Sequence, residues 1–157
     1  MHLRLLPSVW VVLLLLWAPT GFTADMGLFF GSWHVDVSKL SIPDPPASVT
    51  ITWADATGGK IKMSVDIVDR RGKKSHGEGT FTLDGSPSRA TGSLDVDVGS
   101  FTMPNSRVLV MGAGMAGNPS NTRVFVVSED GKQMSETIIS HGPGNIPATR
   151  VNVWTRK

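Results

Sequence analysis

A rhythm of two constrains this chain more than any other feature. Val49-Thr50-Ile51-Thr52-Trp53 and Ile61-Lys62-Met63-Ser64-Val65-Asp66-Ile67 alternate apolar with polar residues throughout. Successive side chains of an extended strand point to opposite faces, so each run presents one face to a core and one to water. Gly58-Gly59 turns the chain between them. The same unit returns in Thr122–Ser140, where two runs rich in β-branched residues flank Asp130-Gly131, and that Asp-Gly pair supplies the left-handed backbone of a tight reversal.

Other segments follow the same rule. From Trp33 onward, Trp33, Val35 and Val37 share a face opposite His34 and Asp36. Residues Ser38–Ser48 hold Pro43, Pro45 and Pro46, which exclude ladder pairing and predict a crossing loop. In Ser75–Leu83 the apolar face of Phe81 and Leu83 brings Ser75, Gly77 and Gly79 inward, while His76 and Glu78 face solvent. Inward glycines leave room, so the interior is expected to be hollow there. Leu94, Val96 and Val98 alternate with Asp95 and Asp97; Arg107–Met111 and Thr149–Thr155 complete nine short strand candidates. No helical period persists beyond a turn.

Close spacing and short turns predict an all-β fold, a single antiparallel up-and-down barrel of about eight to nine strands. Closure removes exposed edges, and about eight strands leave an interior that side chains fill or that holds one small ligand.

The first residues read as an address. Met1–Arg4 carries one basic residue, and Val9–Ala18 is apolar but shorter than the roughly 20 residues that span a bilayer as a helix. Residues 1–24 are read as a signal peptide and 25–157 as the barrel domain, exported to a periplasm or secreted, with no stable membrane span after cleavage. The chain has no cysteine, so an exported fold must rest on its hydrophobic core. A net charge of +2 does not suit nucleic acid. The one basic cluster, Arg70-Arg71-Gly72-Lys73-Lys74, is read as a solvated turn.

Several motifs taken together resemble a known family. Gly31-Ser32-Trp33 followed by Val35-Asp36-Val37-Ser38-Lys39, the Pro-rich loop, Asp84-Gly85-Ser86-Pro87, and Arg123-Val124 through Ser128-Glu129-Asp130-Gly131-Lys132 are similar to small exported bacterial lipocalin-like proteins of uncharacterised activity. The resemblance implies an antiparallel barrel, a small apolar ligand and no known reaction. It also implies that Trp33 packs at the closed end beneath a basic side chain from the last strand, Arg150 or Arg156. The glycines at 77 and 79 depart from the aromatic residues expected there.

Tests for chemistry return little. Gly112-Ala113-Gly114-Met115-Ala116-Gly117 spells a dinucleotide fingerprint but lacks the helix whose N-terminus would hold a pyrophosphate, and it is read as a flexible hairpin loop. His34, His76 and His141 lack local metal-ligand spacing, and no nucleophile elbow occurs. No catalytic residue, metal ligand or cofactor is assigned. Asp95 and Asp97 are read as solvated. Glu136 faces inward if Met134 and Ile138 do, in which case Arg123 or Arg150 would pair with it; Ile139 on the opposite face leaves the parity open.

The candidate ligand-binding residues are Val49, Ile51, Trp53, Met63, Val65, Gly77, Gly79, Phe81, Met134 and Glu136, with Trp33, Arg150 and Arg156 closing the barrel. The expected function is a non-enzymatic carrier of a small apolar or amphipathic molecule. The alternative is a packed barrel that contacts another exported component through loops Ser38–Ser48 and Gly112–Asn121.

Overall fold

The computed structural model describes residues 25–157; residues 1–24, expected to be a signal peptide, lie outside the described residues. The chain forms ten antiparallel strands: β1 Gly31–Val35, β2 Ser48–Ala56, β3 Lys60–Val68, β4 Lys74–Phe81, β5 Ser88–Gly92, β6 Val98–Asn105, β7 Val108–Met115, β8 Asn118–Val127, β9 Gln133–His141 and β10 Pro147–Arg156. Each pairs with its neighbours in sequence, and β1 pairs with β10 to close the sheet. The all-β up-and-down barrel is thus as expected, with ten strands rather than eight or nine.

The extra strand comes from one misread segment. The alternation Leu94, Val96, Val98 is not a strand; residues 93–97 connect β5 to β6. Ser93 is pinned to β4, donating its N–H to the His76 carbonyl while its hydroxyl accepts from the His76 N–H. The Val96 N–H turns back onto the Leu94 carbonyl. Asp97 is not simply solvated, since its carboxylate accepts the Ala116 N–H at 2.9 Å.

The glycine-rich segment is also corrected. Gly112 to Met115 continue β7, and only Ala116 and Gly117 turn, at φ of 51° and 79°. That double positive φ matches the twist of the strands it joins. Gly112 and Gly114 are required by proximity to β6: a Cβ on them would lie 2.9 Å from Ser100 Oγ and 2.7 Å from Val98 Cγ1.

One end of the barrel, here the lower, is solid. Residues 26–30 cross beneath it, burying Met26 and Phe29. The Trp33 indole N–H donates to the Phe29 carbonyl at 2.7 Å. Arg156, and not Arg150, covers Trp33, its guanidinium carbon 4.4 Å from the ring centroid. Arg156 also donates to the carbonyls of Leu28, Phe30 and Gly131, which ties the crossing segment and the β8–β9 turn to the last strand. Above this plug, Trp53 meets Phe29, Phe101 and Phe125 edge-on, with centroids 6.5, 5.7 and 5.6 Å away. Such packing buries large apolar area and adds roughly 0.5–1.5 kcal/mol per aromatic pair.

Candidate functional site

The upper half of the same barrel is hollow. A cavity of about 620 Å³ opens there, with Ile51, Met63, Phe81, Met111, Phe125 and Trp154 toward its floor and Val35, Val49, Val65, Ile67 and Ile138 higher on its wall. Its mouth is bordered by Leu40, Ile42 and Asp44 to Pro46 of the loop between β1 and β2. Proline content keeps that loop from pairing with a strand, leaving its apolar side chains to turn over the opening. Arg70 holds the loop in place: its Nε donates to the Pro45 carbonyl at 3.1 Å and lies 3.7 Å from Asp44. The basic turn therefore includes one residue that docks the loop. Beside it, backbone N–H groups of Lys73 and Arg71 donate to Asp69 and hold its carboxyl below the ordinary carboxylate range.

Seven of the ten expected ligand-facing residues line this cavity, namely Val49, Ile51, Met63, Val65, Gly77, Phe81 and Glu136. Trp53, Gly79 and Met134 do not, and each for a physical reason. Trp53 and Met134 lie a step lower on their strands, within the packed core, with 1% of their surface exposed. Gly79 is covered by the Phe81 ring, which occupies the space a Cβ would need. Leu94 covers Gly77 likewise, 2.8 Å from where a Cβ would stand. The glycines are thus sites of close packing, and the open volume lies beside them. Arg150, expected at the closed end, lines the cavity instead.

Polar chemistry concentrates on one wall, formed by β8, β9 and β10. The strand register places Glu136 opposite Phe125 on one side and Asn152 on the other, with Arg123 and Arg150 flanking Ile138 one inward position higher. Glu136 is interior and wholly buried. Arg123 Nη1 donates to Glu136 Oε1 at 2.8 Å, while Asn152 and the Trp154 indole donate to Oε2 at 2.8 and 3.1 Å. A buried carboxylate is tolerable only when paired and hydrogen-bonded in this way. Arg123 is held further by Asn121, which accepts from its Nε at 2.9 Å.

The three histidines among the described residues take no part. His34 hydrogen-bonds Thr50, His76 contacts Asp66 and Glu78 on the outer face, and His141 is exposed at the end of β9. Among the described residues no group of three or more His, Asp or Glu could hold a metal, and no helix is long and apolar enough to cross a membrane.

The expected ligand-facing residues did not include Ile67, Met111, Phe125, Ile138, Asn152 or Trp154, all of which line the cavity. Ile67 and Ile138 share the parity of residues already named. Asn152 and Trp154 follow once closure is accepted, because a closing strand must also turn one face inward.

The fold and site define a closed barrel, sealed below and open above, with an apolar cup and one charged wall. In comparison with known proteins, the chain matches no family model and no curated protein.

Proposed function

We propose that the chain is an exported, non-enzymatic binding protein of lipocalin-like type that holds a small apolar or amphipathic molecule in the upper half of its barrel. The observation that carries this reading is the cavity: about 620 Å³, open at one end, closed at the other by aromatic packing, and lined mainly by apolar side chains. Sites for small molecules fall at roughly 300–1,000 Å³ and combine apolar walls with a few fixed polar groups. Glu136 supports binding rather than proton transfer, since its partners Arg123, Asn152 and Trp154 all donate to it and none is a histidine.

The test is titration with phenylnaphthylamine, an uncharged dye that brightens in apolar surroundings. Saturable brightening at one dye per chain, with a change in Trp154 emission, is the expected result. Dye uptake that is absent, or that persists when Val65→Trp fills the cup, would remove the container.

A further inference from the structure

The charges inside the cup do not balance. Three ionisable side chains reach into its polar wall: Arg123, Glu136 and Arg150. Arg123 and Glu136 form an ion pair at 2.8 Å. Both oxygens of Glu136 are then occupied, one by Arg123 and the other by Asn152 and Trp154. None of these bonds involves Arg150. Its Nε is buried without a hydrogen-bond partner, and it makes no ion pair among the described residues.

The acids at the rim either have other partners or stand on another side of the barrel. Asp44 faces Arg70, and Asp69 accepts backbone N–H groups of its own turn. Asp95 belongs to the loop between β5 and β6, across the barrel from β10. Glu78 pairs with Lys62 on the outer surface. The interior wall therefore carries one uncompensated positive charge beside an apolar cup. A guanidinium taken partly out of water without a counter-ion is costly, and its planar fork matches a carboxylate's two oxygens.

We propose that the cup binds a monoanionic amphiphile, a carboxylate with an apolar tail, whose headgroup lies on Arg150. The tail points down toward Met63, Phe81 and Met111, away from the mouth. Arg123 has the same chemistry but is already neutralised, so it holds the wall in shape while Arg150 selects the charge. This rests on the container reading above and adds the class of ligand to it.

The experiment displaces phenylnaphthylamine from the intact protein with dodecanoate and, separately, with dodecanol, which share a tail and differ in charge. Dodecanoate is expected to bind about tenfold or more tightly than dodecanol, as a charge-assisted hydrogen-bonded pair requires. Arg150→Gln should abolish that preference and leave dodecanol unchanged. Arg150→Lys, which keeps the charge and loses the fork, should retain part of it and serves if the glutamine variant does not fold. Equal binding of acid and alcohol by the unaltered protein overturns the anion assignment while the container stands. A preference that survives in both Arg150 variants overturns the role of Arg150. If neither compound displaces the dye, or the dye itself does not bind, the container falls and the assignment with it.

Discussion

The lower and upper halves of this barrel share the same strands and the same alternation, yet one is solid and the other hollow. Size along each strand makes the difference. Inward residues run from Trp53 to Val49 on β2, from Phe81 to Gly77 on β4, from Leu109 to Ala113 on β7 and from Trp154 to Arg150 on β10, always from large below to smaller or polar above. Alternation decides which face of a strand is inside, whereas the gradient decides whether the inside is filled. Up-and-down topology reverses the gradient's direction in sequence at every turn, so each half gathers its residues from all around the sheet.

The sharpest way to break this comparison is to cut one large residue from each half. Trp53→Ala removes the centre of the aromatic plug and should destabilise by about 3–5 kcal/mol in denaturant unfolding, because the enclosed space cannot collapse. Val49→Ala on the cup wall should cost about 1 kcal/mol or less, since it adds to an opening that already exists rather than making a new void. Similar losses at both positions would mean that the upper half is packed as tightly as the lower.

Glu136 is the next largest effect, at the boundary between the halves. Glu136→Ala leaves Arg123, Asn152 and Trp154 without their acceptor and should cost about 3 kcal/mol. That is the low end for a broken buried pair, because Arg123 keeps 28% of its side chain exposed. A companion Arg123→Met, Glu136→Met double variant should recover part of the loss, since an apolar pair of similar volume needs no compensation. Urea midpoints of the two variants check this: a double variant no better than the single would show that Asn152 and Trp154, not the ion pair, depend on Glu136.

Much of this plan could be read from the residues. Closure, the crossing loop at Pro43 to Pro46 and the inward face of β2 to β4 follow from alternation, short turns and proline chemistry, whereas the seat of Trp33 under a basic residue is only what the family resemblance implies. Three things could not be read. Leu94 and Val96 alternate as a strand would, but Ser93's bonds to His76 take the chain out of the ladder first. The fingerprint glycines at 112 and 114 are small because β6 presses on them, a contact invisible until β6 is placed. Arg150 and Arg156 look equivalent in sequence, and only the register with β9 and β1 separates the cup from the plug. In the candidate site wall and floor were both partly legible: Ile51, Met63 and Phe81 of the floor were expected, Met111, Phe125 and Trp154 were not. Trp53 and Trp154 both face inward, and the depth at which their strands place them decides that Trp154 alone lines the cavity.

Two smaller effects sharpen the reading of the glycines. Gly79→Ala drives a methyl group into the Phe81 ring, with the Arg89 carbonyl 3.2 Å away on its other side. It should cost about 1–3 kcal/mol as an overpacked site and, by tilting Phe81 into the cup, weaken dye binding. Gly77→Ala meets only the Leu94 side chain, its Cδ1 at 2.8 Å and Cγ at 3.1 Å, on a connecting loop rather than a ring and a backbone carbonyl, and should cost less than Gly79→Ala in the same melt. The reverse order would place the rigid packing at the mouth rather than at the floor.

The smallest effect belongs to the outer surface and should leave the cup untouched. On the solvent face of β3 and β4, His76 Nδ1 lies 2.7 Å from Asp66 and its Nε2 lies 3.7 Å from Glu78. The hydrogen bond to Asp66 holds the imidazole above its ordinary value, and Glu78 adds to the shift. A group whose folded pKa is raised contributes its full stability below the unfolded value of about 6.5 and loses it as pH rises through the folded value. The thermal midpoint should therefore fall slightly from about pH 6 to about pH 8, and more gently in His76→Asn. Because His76 is half-exposed the shift should be small, and because its side chain points away from the interior, dye affinity should stay constant over the same range. A dye affinity that followed the melting curve would join the outer ion network to the cup and erase the separation between wall and surface on which the comparison of the two halves depends.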